Sequence, residues 1–226
     1  MSAKGSHAIV SANAVQRRGA FIVFEGLDRS GKSTQVTRLV DHLSKKGVKA
    51  IACRFPDRTT STGKMIDSYL AQKSDLDDQA IHLLFSANRW ERAQGILRDL
   101  EQGTTVICDR YAFSGIAFSA IKGLSYEWCR SPDIGLPAPD LTLFLDLSPE
   151  VAAQRGGYGA ERYETETVQL AVRKMFKRIG EDVGSETWAV IDAGRDIQAV
   201  EQDIVERVDS TLGSAADKPV GKLWQE

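Results

Sequence analysis

Cysteine is scarce in this chain of 226 residues: there are three, Cys53, Cys108 and Cys129, and no two form a CxxC pair. An odd number without paired spacing argues against a disulfide framework or a zinc site and points to a reducing compartment such as the cytoplasm. Histidine is equally sparse. His7, His42 and His82 are scattered, and the last two fall in predicted helices, where packing or surface roles account for them. No apolar run approaches the roughly 18 residues that a membrane-spanning helix needs. A basic excess is missing too: 29 Lys and Arg against 31 Asp and Glu leave a formal net charge of -2, which argues against a protein that coats nucleic acid. There is no internal repeat and no Pro-, Gly- or Ser-rich linker to divide the chain. The first 18 residues hold Lys4, Arg17 and Arg18 but no acid, a weak likeness to a transit peptide. They are read as a disordered extension outside a single domain of residues 19–226.

What is present begins at residues 25–34, EGLDRSGKST, directly after the apolar AFIVF. Gly26, Gly31, Lys32 and Ser33 stand at the spacing of a Walker A loop, in which backbone N–H groups wrap phosphates, the lysine reaches the β and γ groups and the hydroxyl meets Mg²⁺. The context agrees. AFIVF reads as a buried parallel strand, and Val36, Leu39, Val40 and Leu43 recur at helical spacing after the loop. A helix N-terminus there adds its dipole and free N–H groups to an anion site.

Beyond the loop the chain alternates. Strands are predicted at 48–55 (VKAIACRF), 104–110 (TTVICDR), 140–147 (DLTLFLDL) and 188–193 (WAVIDA), with a long helix over 76–100 and a last one over 196–210. Alternation of this kind implies right-handed crossovers and a five-stranded parallel sheet flanked by helices on both faces. Ligands gather at the carboxyl ends of such strands. The segments there carry Arg29, Arg54, Arg58, Arg110, Arg155 and Arg162, and Arg89 sits beside aromatics in the long helix. In a slightly acidic chain this concentration suits a site for more phosphate than one nucleotide carries, hence two phosphorylated substrates.

FIVFEGLDRSGKSTQ, RFPDRTTSTGKMI, LLFSANRWE, DRYAFSGIAF, PDLTLFLDLSPEVAAQRGGYGAERYE and the closing KPVGKLW together resemble the thymidylate kinase family, its eukaryotic branch in particular, over about residues 19–226. The resemblance implies a P-loop, nucleoside monophosphate kinase-like fold with a short lid. It also implies transfer of the ATP γ-phosphoryl group to dTMP, giving dTDP on the way to dTTP, with Mg²⁺ required and a homodimer as the usual assembly. ATP and dTMP would be the partners, with neither nucleic acid nor membrane involved. A phosphate monoester is largely ionised at neutral pH, so no strong general base is demanded.

The resemblance also assigns residues. Gly26, Asp28, Arg29, Ser30, Gly31, Lys32, Ser33 and Thr34 would hold ATP, with Ser33 and Asp109 on Mg²⁺. For dTMP it implies Asp28 at the sugar 3′-hydroxyl, Arg58 and Arg110 on the phosphate, Phe85 stacked on thymine and Arg89 donating to its 4-carbonyl. Phe55, Ser114, Gly115, Phe118 and Tyr163 would complete that pocket, Phe118 crowding a ribose 2′-hydroxyl. Residues 156–164 would form the lid, with Arg155 and Arg162 as its arginines. Lys32, Arg29, Arg110 and Asp109 are the expected catalytic set. Arg29 is preferred over Arg162 as the arginine on the migrating phosphoryl group, because Glu161 and Glu164 flank Arg162. Two rivals are another nucleoside monophosphate or deoxynucleoside kinase and a GTPase-like switch. The switch's guanine-reading NKxD is absent, and DxxG occurs only as Asp28 to Gly31.

Overall fold

Phe21–Gly26 is buried at every position and forms the central strand β1 of the computed structural model, which describes residues 17–155, 159 and 161–225. After it come α1 (Lys32–Lys45), β2 (Ala50–Arg54), α2 (Ser61–Leu70), α3 (Asp78–Glu101), β3 (Thr105–Asp109), α4 (Ala112–Ala120) and α5 (Tyr126–Arg130). A 3-10 turn at Ser131–Asp133 follows, then β4 (Leu141–Asp146), α6 (Pro149–Ala153), α7 (Glu166–Val183), β5 (Trp188–Asp192) and α8 (Ile197–Ala215). All pairings are parallel, in the order β2-β3-β1-β4-β5. From β1 the chain crosses to β2 at one edge, comes back as β3 beside β1 and then passes to the other side as β4, so the crevice at the carboxyl end of β1 is a topological switch point.

Alternate residues of β1 face opposite ways, as a pleated strand requires. Phe21 and Val23 join Ala93, Ile96 and Leu100 of α3, Ile116 of α4 and Val172, Phe176 and Ile179 of α7. Ile22 and Phe24 join Val36, Leu39 and Leu43 of α1 and Val200, Ile204 and Val208 of α8. Both sheet faces are thereby covered, as the uninterrupted apolar strands demand.

Some boundaries differ from those expected. β2 spans Ala50–Arg54 rather than 48–55, because the Val48 N–H is taken by the Leu43 carbonyl in the turn that ends α1, and Pro56 cannot extend the ladder. α8 runs on to Ala215, with Val208 and Ala215 buried. At the amino end, Nη1 and Nη2 of Arg18, a residue of the expected extension, donate to Asp140 at 2.8 and 2.7 Å. Residues 1–16, and 156–158 and 160 of the expected lid, lie outside the described residues.

Candidate active site

Where β1 turns into α1, the loop takes the shape its glycines permit. Gly26 has φ +144°, and a Cβ there would stand 2.6 Å from the Leu145 carbonyl oxygen; Gly31 has φ +94°. Gly31 is the N-cap of α1 and brings no side-chain cap, which leaves the first N–H groups of a 14-residue helix for an anion. Lys32 is buried and folds back, its Nζ donating to the carbonyls of Gly26 and Leu27 and to Ser30 Oγ. Burial, then the nearby Arg110 cation, lowers the Lys32 pKa to about 7 against the pull of Asp109, Asp28 and Glu25. Thr34 is exposed on the first turn.

At the end of β3, Ser33 Oγ donates to Asp109 Oδ2 at 2.5 Å. Burial opposes ionisation of Asp109, but Lys32, Ser33, Arg110 and Arg54 outweigh it and hold the carboxyl below the usual range. Arg54, from the end of β2, donates to both Asp109 and Ser33. A hydroxyl and an ionised carboxylate are hard oxygen donors of the kind Mg²⁺ takes alongside substrate phosphates, so this pair fits the expected ion, and Arg54 supplies positive charge at the same point.

Arg110 follows directly, with φ +68°. Its Nη2 donates to Asp28 Oδ1 at 2.6 Å and its Nη1 to the Gly26 carbonyl and Ser114 Oγ. Burial opposes ionisation of Asp28, yet Arg110 and Lys32, with a bond from Gln169, hold it below the usual carboxylate range. Arg29 also has positive φ, +61°, and its Nε donates to Glu164 at 3.1 Å. Left-handed backbone at a non-glycine residue costs on the order of 1 kcal/mol, and both arginines carry it.

These groups line one cavity of about 720 Å³. On one side stand the loop residues, Arg155, Arg195, Ile197 and Val200; on the other Phe55, Arg58, Phe85, Arg89, Ser114, Gly115, Phe118 and Tyr163. Among the described residues eight basic and four acidic side chains line it, which gives a local positive field in a chain of net charge -2. The Phe118 ring lies 5.2 Å from that of Tyr163, and the Arg110 guanidinium carbon lies 5.3 Å above it. Phe85 is half-buried, and Phe55 packs on Tyr111.

The family model described as thymidylate kinase matches residues 24–204. The chain belongs to the thymidylate kinase family. Thymidylate kinase of Danio rerio is 51% identical over 210 residues, 92% of this chain and 99% of that protein. That of Homo sapiens is 48% identical with the same coverage of both chains, and that of Schizosaccharomyces pombe 54% identical over 85% of this chain and 93% of its own. The solved structure of thymidylate kinase from Candida albicans superposes with a TM-score of 0.81 at 39% identity, covering 91% of this chain and 98% of that one. Members of the family phosphorylate dTMP to dTDP, and this chain is a kinase of that family with its P-loop fold.

Every expected thymidylate kinase site residue lines this cavity except Gly26, whose carbonyl accepts from Lys32 and Arg110, and Arg162. Arg162 turns away: its Nε donates to the Tyr69 carbonyl, its Nη2 to the Ser74 carbonyl and to Asp75, and the guanidinium stacks 4.1 Å from the Tyr69 ring centre. The expected reason for discounting it is also corrected, because Glu161 binds Arg58 and Glu164 binds Arg29. Arg155 is a brace, donating to the Arg29 and Ala193 carbonyls.

Four buried polar residues went unread in the sequence. Glu25 accepts from the Tyr111 and Ser114 N–H groups and from Ser114 Oγ. Gln169 on α7 accepts from the Asp28 N–H and donates to its carboxylate. Asn88 ties α3 to the turn that carries Arg58, bonding Asp57 and Thr60. Asp133 pairs with Arg89. All four contact the site through another residue, and no local motif marks such contacts; the nearest signal is the run LLFSANRW, which places Asn88 beside Arg89.

Proposed function

We propose that the enzyme takes its phosphoryl group from ATP, assisted by Mg²⁺, and passes it in line to the phosphate of dTMP held in the same cavity. The observation that carries this is the meeting of two anion sites in one space: the open N-terminus of α1 with Lys32, and Arg58 with Arg110 beside Phe85 and Arg89. Phosphoryl transfer needs alignment and charge stabilisation more than covalent chemistry. Lys32 and the loop amides would cradle the donor phosphates, and Arg110, fixed by Asp28, would orient the acceptor. Arg29 would leave Glu164 to meet charge developing on the migrating group. Ser33 and Asp109 would hold Mg²⁺, which when bound neutralises donor phosphate charge. Arg89 would read the pyrimidine 4-carbonyl.

The test is turnover with ATP and Mg²⁺ across the nucleoside monophosphates. Reaction confined to dTMP and close analogues supports the reading; equal use of many acceptors points to a general nucleotide kinase, and GTP hydrolysis without an acceptor to a switch.

A homodimer is part of the same proposal. Met65 on α2, Leu83 and Trp90 on α3 and Ile134 beyond the 3-10 turn are 41–51% exposed, more large apolar surface than a solvated helix pair needs. Sedimentation equilibrium decides it. Three cysteines without disulfides fit a cytoplasmic setting. Among the described residues no helix is long and apolar enough to cross a membrane.

A further inference from the structure

Arg89 is 2% exposed, yet it lines the cavity. Its Nε donates to Asp133 Oδ1 at 3.1 Å and its Nη2 to Oδ2 at 2.5 Å, a two-pronged pair with a carboxylate that is itself fully buried. Ser86, one turn earlier on α3, donates from Oγ to the same Oδ1 at 2.7 Å. On the other side the guanidinium lies against Gly115: a Cβ there would stand 2.7 Å from Nη2 and 3.2 Å from Nη1. Planar guanidinium has five N–H donors in a rigid fork. Asp133 takes the edge made by Nε and Nη2, and Nη1 finds no acceptor among the described residues.

The charge balance matters as much as the direction. Arg58 pairs with Asp67 and Glu161 and Arg110 with Asp28, carboxylates that are 23–46% exposed and can yield to a phosphate, whereas Asp133 is fully buried. Arg89 is already matched one to one by Asp133, so its open Nη1 suits a neutral acceptor, a carbonyl oxygen, rather than a second phosphate. A buried donor of fixed direction also rejects a ligand that presents an N–H₂ group at the same point, because two donors then face each other without an acceptor.

We propose that Asp133 is a specificity-determining positioning residue. It neutralises Arg89 and clamps it against Gly115, so that one N–H edge meets the pyrimidine 4-carbonyl and refuses a 4-amino base. This rests on the reading of Arg89 given above and extends it to a residue 44 positions away in sequence.

The experiment measures kcat and KM for dTMP and dCMP in the parent, Asp133→Asn, Ser86→Ala, Arg89→Ala and the double variant Asp133→Asn/Arg89→Ala, each checked for fold by circular dichroism. Asp133→Asn should narrow the dTMP to dCMP preference about 10-fold through KM for dTMP, leaving kcat at saturation within about 3-fold. In the Arg89→Ala background the same change should leave the preference where it is, since a residue acting through another has nothing left to position. Ser86→Ala, which keeps the ion pair and only loosens it, should move the preference about 3-fold in the same direction, and it decides the matter if Asp133→Asn does not fold. The proposal is overturned if a folded Asp133→Asn keeps the parent preference, if its effect persists without Arg89, or if Ser86→Ala alone is tested and changes nothing. Should Arg89→Ala itself leave the preference untouched, the base-reading role fails first and this proposal with it; an Arg89 effect without an Asp133 effect overturns the proposal alone.

Discussion

Arg29 sits on left-handed backbone with its guanidinium on Glu164, so glycine is the informative replacement: it removes the cation while relieving the strained φ. Arg29→Gly should lower kcat by roughly 10²-fold or more with a smaller change in dTMP affinity, because the interaction matures in the transition state. Arg162→Ala should leave kcat within about 3-fold, since that side chain binds Tyr69, Ser74 and Asp75 outside the cavity. Single-turnover rates under saturating ATP compare the two, and a larger kcat loss for Arg162 sinks the assignment. Glu25 offers a test in pH. Burial raises its pKa above the usual 4.5, only partly offset by the Ser114 hydroxyl, the Arg110 charge and the Ser114 and Tyr111 N–H groups. A raised folded-state pKa contributes stability that is complete below the unfolded value and lost as pH climbs through the folded one. Glu25→Gln, neutral throughout, should therefore gain stability relative to the parent between about pH 5 and about pH 7.5. Urea denaturation at both pH values checks the sign; a relative stability that falls with pH contradicts it.

At the scale of elements, the placement of Arg58 in the cavity depends on how α2 and α3 hold the turn between β2 and α2. Thr60 caps α2 by accepting from the Gly63 N–H at 3.1 Å, and Asn88 on α3 bonds Asp57 and Thr60 of the same turn. Gly63 must be small: a Cβ would stand 1.8 Å from the Asp57 carbonyl oxygen, and backbone cannot yield as a side-chain tip does. Gly63→Ala should push the turn and displace Arg58, raising KM for dTMP by about 10-fold while KM for ATP stays within about 2-fold. Equal changes in both constants would mean that the turn does not set acceptor binding by itself. The loop at β1 behaves differently. It is braced from three directions, by Gln169 of α7 on Asp28, by Arg155 beyond α6 on the Arg29 carbonyl and by Arg110 after β3 on Gly26.

Across the whole molecule, one aromatic cluster joins the sheet to the helix that carries Gln169. Phe176 of α7 is fully buried, 5.2 Å from Phe144 and 6.5 Å from Trp188, and Phe113 meets Trp188 edge-on at 5.3 Å. Phe176→Ala should cost about 3–5 kcal/mol by removing that ring and leaving a cavity. Because the core spans every strand, urea transitions followed by tryptophan fluorescence and by far-ultraviolet dichroism should still coincide. A loss below about 1 kcal/mol, or two separated transitions, would show that this face folds apart from the site.

The sequence by itself determined the strand order of events along the chain and the chemistry of the loop. Apolar runs such as AFIVF and DLTLFLDL are signals local to a few residues, and Gly26, Gly31, Lys32 and Ser33 act within one loop, so their meaning survives without long-range knowledge. The same holds for most cavity residues, since parallel strands place whatever follows their carboxyl ends together. Tertiary structure alone decided direction and pairing. Arg162 and Arg29 look equivalent as lid-facing and loop-facing cations, yet one stacks on Tyr69 and the other meets Glu164. Glu25, Asn88, Asp133 and Gln169 reach the cavity residues through distant partners, as in Asn88 with Thr60, 28 positions away, and Gln169 with Asp28, 141 away. A buried polar group must find its partner wherever the fold brings one, and that search runs through packing in three dimensions, which no spacing along the chain encodes.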